Sequence, residues 1–405
     1  MKGIRLLQNG AFSLTPMLLL ALGLGQTATT PAQPAPSGRC LIIGGGPNPK
    51  NNQVAIESNV RYVSRVLPQT TSLRVLFTDG KPESENVLCQ GEDKKQYYRK
   101  TTLTKVDGPT EFATVKSEIS ALAASSQQQP KVPALIYLTG HGSGDKQGNY
   151  VNNWMDLWNR GRLTVKDLSA SISEFPKETP LTFIMVQCFS GGFGAVLFKD
   201  GDLAGELVDQ NVCGFFAAIS QRVAAGCTPE INEAEYRDST SYFVAALTGQ
   251  DRMGRPVFGA DYDKNGVVGM NEAFCYELIH DDSIDTPTCT SDYFLRRFVT
   301  TPEEECFNVK YNEILKWATP AQKAALEALS EKLKFSGENR AMDAYKEFLG
   351  MNILNLDERP THVLRYVRLI KSVVLAHNLA GMKDNNLKKR YANLVKLESA
   401  NPFRK

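Results

Sequence analysis

Short apolar runs alternate with helix-like segments over the first 250 residues of the chain. Five runs rich in β-branched and aromatic residues predict strands at positions 40–43, 73–77, 134–138, 181–186 and 213–219. Their apolarity is continuous rather than alternating, which indicates strands covered on both faces, as in a parallel sheet. Helix-like stretches lie between or after them, at 55–66, 111–124, 164–175 and 240–247. This pattern is typical of an α/β domain whose central sheet is flanked by helices.

The pattern changes to purely helical after Cys306. Thr319 and Pro320 form a helix start, and the following positions 321–335 carry leucines along one stripe. Two further helices are predicted at 360–376 and 387–397. Residues 307–405 hold 18 Lys and Arg against 10 Asp and Glu, so this part is basic. We expect an α/β domain at 40–306 and a basic, all-helical domain at 307–405.

Composition and the first residues indicate an exported globular protein. A length of 405 residues favours two folded units, and a net charge of +2 gives no reason to expect a nucleic-acid partner. Residues 1–32 combine a basic start, a short apolar run and small residues, which predicts a signal peptide followed by a linker at 33–39. No later run is long enough for a stable membrane span. We therefore expect a periplasmic or extracellular location; an uncleaved N-terminal anchor is the alternative.

Export would place the eight cysteines in an oxidising compartment, where disulfides are expected. Clustering along the chain favours a Cys213–Cys227 pair and a second pair among Cys275, Cys289 and Cys306. The spacing leaves the connectivity open.

Two predicted strands end in sequences that favour nucleophilic catalysis. One ends in Gly140-His141-Gly142-Ser143 and the other in Gln187-Cys188-Phe189-Ser190. Ligands of open α/β sheets bind beyond the carboxyl ends of the strands, so His141 and Cys188 can share one crevice. An imidazole there can take the proton of a cysteine nucleophile, whose pKa we expect to be low. The N–H groups of Gly142 and Cys188 are candidate oxyanion donors. A core cysteine and an ordinary loop histidine are the alternative.

These two strand ends resemble those of the caspase-like cysteine peptidases, which include legumain-type enzymes, the GPI transamidase and metacaspases. The resemblance covers about residues 40–250, and an exported legumain-type member is the best match. It implies a caspase-like fold, a His141–Cys188 dyad and cleavage of peptide bonds in a polypeptide substrate.

The specificity residues of that superfamily are not all matched. Metacaspases carry an acidic residue two positions before the cysteine, where this chain has Val186, and legumain-type enzymes carry one immediately before it, where this chain has Gln187. Ser220 and Arg222 follow the next strand, where these families line the specificity pocket. We expect them to bind the substrate; a surface arginine is the equal alternative for Arg222.

Residues 261–272 (DYDKNGVVGMNE) match the twelve-residue EF-hand calcium loop. The pattern assigns side-chain oxygens to Asp261, Asp263 and Asn265, a main-chain carbonyl to Val267 and a bidentate carboxylate to Glu272. The segment before the loop is a poor helix, so a structural calcium site is expected rather than a sensor; a metal-free turn is the alternative. No organic cofactor is expected.

Three functions fit these features. The first is an exported cysteine endopeptidase that acts through a thioester acyl-enzyme. The second is a transamidase or peptide ligase on the same dyad, and the third is a non-catalytic calcium-binding protein on a caspase-like scaffold. The basic helical domain at 307–405 is expected either to cover the active site or to serve as an accessory domain.

Overall fold

The computed structural model describes residues 37–145 and 148–404. The predicted signal peptide at 1–32 and residues 33–36 of the predicted linker lie outside this range. The described residues form one compact unit.

A six-stranded sheet runs through the centre of this unit. Its spatial order is β11-β10-β9-β5-β1-β2, and every neighbouring pair is parallel except β10 with β11. All five predicted sheet strands are present within two or three residues of their expected ends. The strands of the unit are β1 Gly38–Gly45, β2 Thr71–Phe77, β3 Val87–Gln90, β4 Gln96–Arg99, β5 Ala134–Gly140, β6 Gly142–Ser143, β7 Trp154–Leu157, β8 Gly161–Thr164, β9 Leu181–Met185, β10 Val212–Phe216 and β11 Thr288–Cys289.

Helices cover the sheet, as the continuous apolarity of its strands predicts. Every residue of β5, β9 and β10 is buried. The helices are α1 Val54–Val66, α2 Phe112–Gln128, α3 Val165–Ile172, α4 Ala245–Thr248, α5 Met270–His280, α6 Thr290–Phe298, α7 Glu303–Phe307, α8 Tyr311–Trp317, α9 Pro320–Leu333, α10 Arg340–Leu349, α11 Glu358–Gly381 and α12 Asn385–Glu398. The prediction of a mostly parallel, helix-flanked sheet followed by a helical C-terminal region is confirmed.

Local sequence accounts for several helix starts. Thr164 and Asp167 form a reciprocal capping box at the start of α3, and Thr319 and Gln322 form another before α9. In each, the first side chain accepts from a free N–H of the first turn, which an uncapped helix would leave unpaired. The predicted helix at 240–247 begins as a π-helical turn at Thr240–Val244 and continues as α4.

The C-terminal helices share the hydrophobic core of the sheet. One buried cluster extends from the strands to α9, α11 and α12. Helices α6 and α12 contact β10, and α5 packs against α9. The hydrophobic core is therefore continuous between the sheet and the C-terminal helices, although the composition changes at residue 306. None of the helices in the described residues is long and apolar enough to cross a membrane.

All eight cysteines are free thiols in this structure, which contradicts the expected disulfides. The two members of the favoured pair lie in different surroundings. Cys213 is buried in β10 beside the Thr182 hydroxyl at 3.5 Å, whereas Cys227 lies 3.5 Å from the Gly140 carbonyl oxygen. Nearness along the chain did not translate into nearness in space, because the strand carries Cys213 into the sheet.

A fully buried ion pair joins α11 to the segment after α5. Arg365 donates to the Asp281 carboxylate at 3.1 Å, and both side chains are inaccessible to solvent. The same guanidinium also donates to the carbonyls of Asp281, Ser283 and Asp285. Because the Asp281 carboxylate is fully buried, removal of the arginine leaves it without its cationic partner in the interior.

We predict that Arg365→Ala lowers the free energy of unfolding by about 3–5 kcal/mol, the usual cost of breaking a buried pair from one side. Chemical denaturation of full-length protein measures the change. The matched control is Arg359→Ala. Arg359 lies on the same helix as Arg365 and forms an exposed ion pair with Glu347 of α10, so its removal should cost about 0–1 kcal/mol. Equal, small losses for both variants would contradict the structural role of the buried pair.

Candidate active site

The pairing of β5 with β9 aligns the two strand ends that carry the candidate dyad. Leu138 lies opposite Met185, and the N–H of Val186 donates to the Leu138 carbonyl at 3.0 Å. Continuing this register by three residues brings His141 level with Cys188. Neighbouring strands are about 4.8 Å apart, so the two residues leave the sheet at the same edge, from adjacent strands.

Gly142 makes the closest approach between the two strand ends. A Cβ atom at this position would lie 2.1 Å from the Cys188 carbonyl oxygen and 2.7 Å from Cγ of Gln187. A larger residue would therefore push the histidine strand away from the nucleophile. On its other side, the loop is held by the N–H of Asp156, which donates to the His141 carbonyl at 2.9 Å. Gln187 is itself buried below this contact.

His141 is held by a side chain that precedes α1. Its Nε2 atom lies 2.9 Å from Oε1 of Gln53, which fixes the orientation of the ring. Burial lowers the pKa of His141, while the charge of Asp156 and a hydrogen bond with the main chain of Asn51 act in the opposite direction. The net shift is downward, so the imidazole is neutral near pH 7 and able to accept a proton.

Cys188 lies against the loop that follows β10. Its Sγ atom is 3.2 Å from the N–H of Ala224 and 3.5 Å from the carbonyl oxygen of the same residue. Burial raises the pKa of the thiol, with a smaller opposing effect from the Ala224 N–H. The expectation of a low-pKa thiol is thus not supported, because desolvation outweighs the single N–H that would stabilise a thiolate. The resting pair is a neutral thiol and a neutral imidazole.

The chain turns sharply immediately after the nucleophile. Phe189 adopts a left-handed conformation with φ of 59°, and its N–H donates to the Arg222 carbonyl at 2.8 Å. A non-glycine residue in this region is uncommon and is often found at functional turns. The N–H of Cys188 donates to no main-chain or side-chain acceptor of another residue among residues 37–145 and 148–404. The oxyanion role expected of this N–H and of the Gly142 N–H stays a prediction.

Asn153, which lies immediately before β7, supports the turn that follows Cys188. It is fully buried, and its amide donates to the carbonyls of Phe189 at 3.0 Å and Ser220 at 2.9 Å. Its own oxygen accepts from the N–H of Asp145 at 3.0 Å. Sequence reasoning did not identify Asn153 or Gln53, because an isolated amide side chain in a loop carries no motif.

Arg222 points into the protein rather than into the crevice. Only 1% of the residue is exposed, and its guanidinium donates to the carbonyls of Ile353 and Asn355 at 2.9 and 2.8 Å and to the Thr361 hydroxyl at 2.9 Å. The guanidinium also donates to the Ile284 carbonyl at 3.4 Å, so in this arrangement it is neither at the crevice, as expected, nor at the surface, as the alternative had it. Ser220 is half-buried, and its carbonyl is used by Asn153.

The predicted calcium loop folds with its carboxylates together. Oxygens of Asp261, Asp263 and Glu272 lie within 4.8 Å of one another, a span that one calcium ion can bridge. Gly266 has φ of 85° at the sharp turn, and its N–H donates to Asp261 at 2.9 Å. Asn265 accepts from the N–H of Val267 at 2.8 Å. Helix α5 leaves the loop, and no helix enters it, as the sequence predicts.

Comparisons with known proteins give weak similarities of structure. No family profile matches the sequence, and no curated protein sequence does either. A secreted C11 cysteine protease from Bacteroides thetaiotaomicron shares 12% identity over 76% of this chain and 81% of its own, with a TM-score of 0.34. The Drosophila initiator caspase Dronc shares 9% identity over 52% and 63%, with a TM-score of 0.31. A Geobacter sulfurreducens protein shares 12% over 63% and 92%, with a TM-score of 0.37.

Because burial raises the pKa of the Cys188 thiol, its reactivity should depend on pH like that of a weakly acidic thiol. We predict that its alkylation by iodoacetamide accelerates by about tenfold per pH unit from pH 7 to pH 9, following the thiolate fraction. Peptide mapping by mass spectrometry measures the rate at Cys188, with glutathione alkylated in parallel as the control. A rate that is already constant below pH 8 would reveal a preformed thiolate and contradict the neutral pair.

Proposed function

We propose that this protein is an exported cysteine endopeptidase in which His141 and Cys188 form the catalytic dyad. The observation that supports the proposal most is the register between β5 and β9, together with the close packing of Gly142 on the Cys188 carbonyl. A neutral thiol beside a neutral imidazole is competent for general-base activation.

The chemistry follows from the positions of these groups. As Cys188 Sγ bonds to the substrate carbonyl carbon, His141 takes up the thiol proton and the carbonyl oxygen gains negative charge. The N–H groups of Gly142 and Cys188 stabilise that oxyanion. The protonated His141 then donates its proton to the departing amine, the C–N bond breaks and a thioester remains. Water, deprotonated by His141, hydrolyses the thioester and restores the thiol.

The C-terminal region is proposed to restrict access to the specificity side of the site. The support is the capture of Arg222 by Ile353, Asn355 and Thr361, which removes a cationic group from the crevice side of the chain. The exported location rests on residues 1–32 of the sequence.

Calcium is proposed to bind the loop at 261–272 and to stabilise the fold without entering the reaction. Asp261, Asp263 and Glu272 supply hard oxygen ligands, and a cation that binds only the folded loop shifts the folding equilibrium by mass action.

Profiling of a peptide library tests the peptidase proposal. We expect wild-type protein to cleave peptides, Cys188→Ala to lose at least about 10⁴-fold in kcat/KM and His141→Ala about 10²–10⁴-fold. Cys227→Ala is the matched control, since it removes the neighbouring thiol and should leave cleavage largely unchanged. Cleavage that survives in Cys188→Ala would refute the assignment. An added amine in the same assay separates hydrolysis from transfer.

Removal of calcium tests the loop proposal. In wild-type protein, calcium at about 100-fold over its Kd should stabilise the fold by about 2.7 kcal/mol, measured as a rise in the thermal midpoint. Glu272→Gln loses the bidentate ligand and should lose most of that gain. Glu313→Gln in α8, where the Glu313 side chain is 47% exposed, is the control for loss of one negative charge. An unchanged calcium response in Glu272→Gln would contradict the site.

A further inference from the structure

A second group of carboxylates lies in the interior, next to the loop after β10 that contacts Cys188. Oxygens of Glu277, Asp281 and Asp285 lie within 4.8 Å of one another, and none of the three residues is more than 2% exposed. Glu277 belongs to α5, and the two aspartates follow that helix. The group lies outside the loop at 261–272, from which α5 departs.

The charges of this group are only partly compensated. Asp281 pairs with Arg365 at 3.1 Å, and the neighbouring Asp238 pairs with Arg252 at 2.9 Å. Glu277 and Asp285 take part in no salt bridge within the described residues. An isolated carboxylate is costly to bury, so two negative charges in this place require protons or a cation. Burial accordingly raises the pKa of Glu277 and of Asp285 well above the ordinary range.

One carboxylate oxygen of Glu277 has no hydrogen-bond partner, although the Ser239 hydroxyl acts on the same carboxylate. Oε1 of Glu277 is buried and has no hydrogen-bond partner, although its carboxylate lies within reach of the two aspartates. Buried polar atoms are nearly always paired, so such an atom indicates a missing partner. By contrast, the acidic residues of a third group, Asp282 and Glu358, already hold the Lys332 ammonium between them.

We propose that Glu277, Asp281 and Asp285 form a buried calcium site. Three carboxylates offer the hard oxygen ligands that calcium prefers, and oxygens on opposite sides of a calcium ion are about 4.6–5.2 Å apart. Magnesium requires a strict octahedron and usually keeps several waters, so a fully buried group of carboxylates suits calcium better. The site does not depend on the proposed peptidase activity.

The site is linked to the loop after β10 that contacts Cys188. Asp285 accepts from the N–H of Ala225 at 2.6 Å and from the N–H of Ser239 at 2.9 Å. Ala225 follows Ala224, whose N–H contacts the Cys188 thiol. A cation on Asp285 would therefore be linked to Ala224, whose N–H contacts the nucleophile, through one hydrogen bond and one residue of main chain.

Calcium stoichiometry tests the proposal. Full-length protein, stripped with chelator and dialysed against calcium chloride, is analysed by elemental mass spectrometry. We expect two calcium ions per chain in wild type, one in Glu272→Gln, which lacks the surface loop site, one in Glu277→Gln and none in the double variant. A single ion in wild type that Glu272→Gln loses and Glu277→Gln keeps would overturn the buried site and show that protons neutralise it.

A stability measurement keeps the proposal testable if Glu277→Gln fails to fold. The thermal midpoint of Glu272→Gln should still rise by about 2 °C or more on addition of saturating calcium, because the buried site remains. No rise in this variant would overturn the proposal. Magnesium binding as tight as calcium binding would overturn the assignment of the ion.

Discussion

The register between β5 and β9 is the constraint on which the candidate site depends. Side chains alternate across a strand, so a slip of one residue would turn either His141 or Cys188 to the opposite face of the sheet. The burial of both strands prevents such a slip, because it would move apolar side chains of each strand to the wrong layer. Hydrophobic packing and main-chain hydrogen bonds thus hold the two strand ends that carry the candidate pair.

Burial also sets the electrostatics of the site. Desolvation lowers the pKa of His141 and raises that of Cys188, so both effects favour a neutral pair at rest. Side chains from distant parts of the chain provide hydrogen bonds to the polar groups of the interior. Gln53 holds the histidine ring, Asn153 holds the nucleophile turn, and Asp285 holds the loop beside the thiol. The site is therefore a product of the whole α/β unit.

The sequence was most informative where local pattern determines structure. Continuous apolar runs located the sheet strands, and the motifs at two strand ends located His141 and Cys188. The clustering of the Asp261, Asp263 and Glu272 carboxylates was also readable, since they lie within twelve residues, while calcium binding there stays a prediction. Partners that depend on tertiary contacts could not be read in this way. Arg222 was expected at the substrate, but bonds from residues over 130 positions away draw it inward. The disulfides were inferred from spacing, and the packing of Cys213 into β10 keeps it from Cys227.

The central claim is that Cys188 forms a covalent acyl-enzyme with the help of His141. The most direct measurement is mass spectrometry of enzyme mixed with a cleavable peptide ester and quenched in acid within milliseconds to seconds. The account predicts a thioester on the peptide that contains Cys188, formed rapidly in wild type and far more slowly in His141→Ala. Turnover without any acyl group on Cys188, or acylation of Cys227 instead, would contradict it.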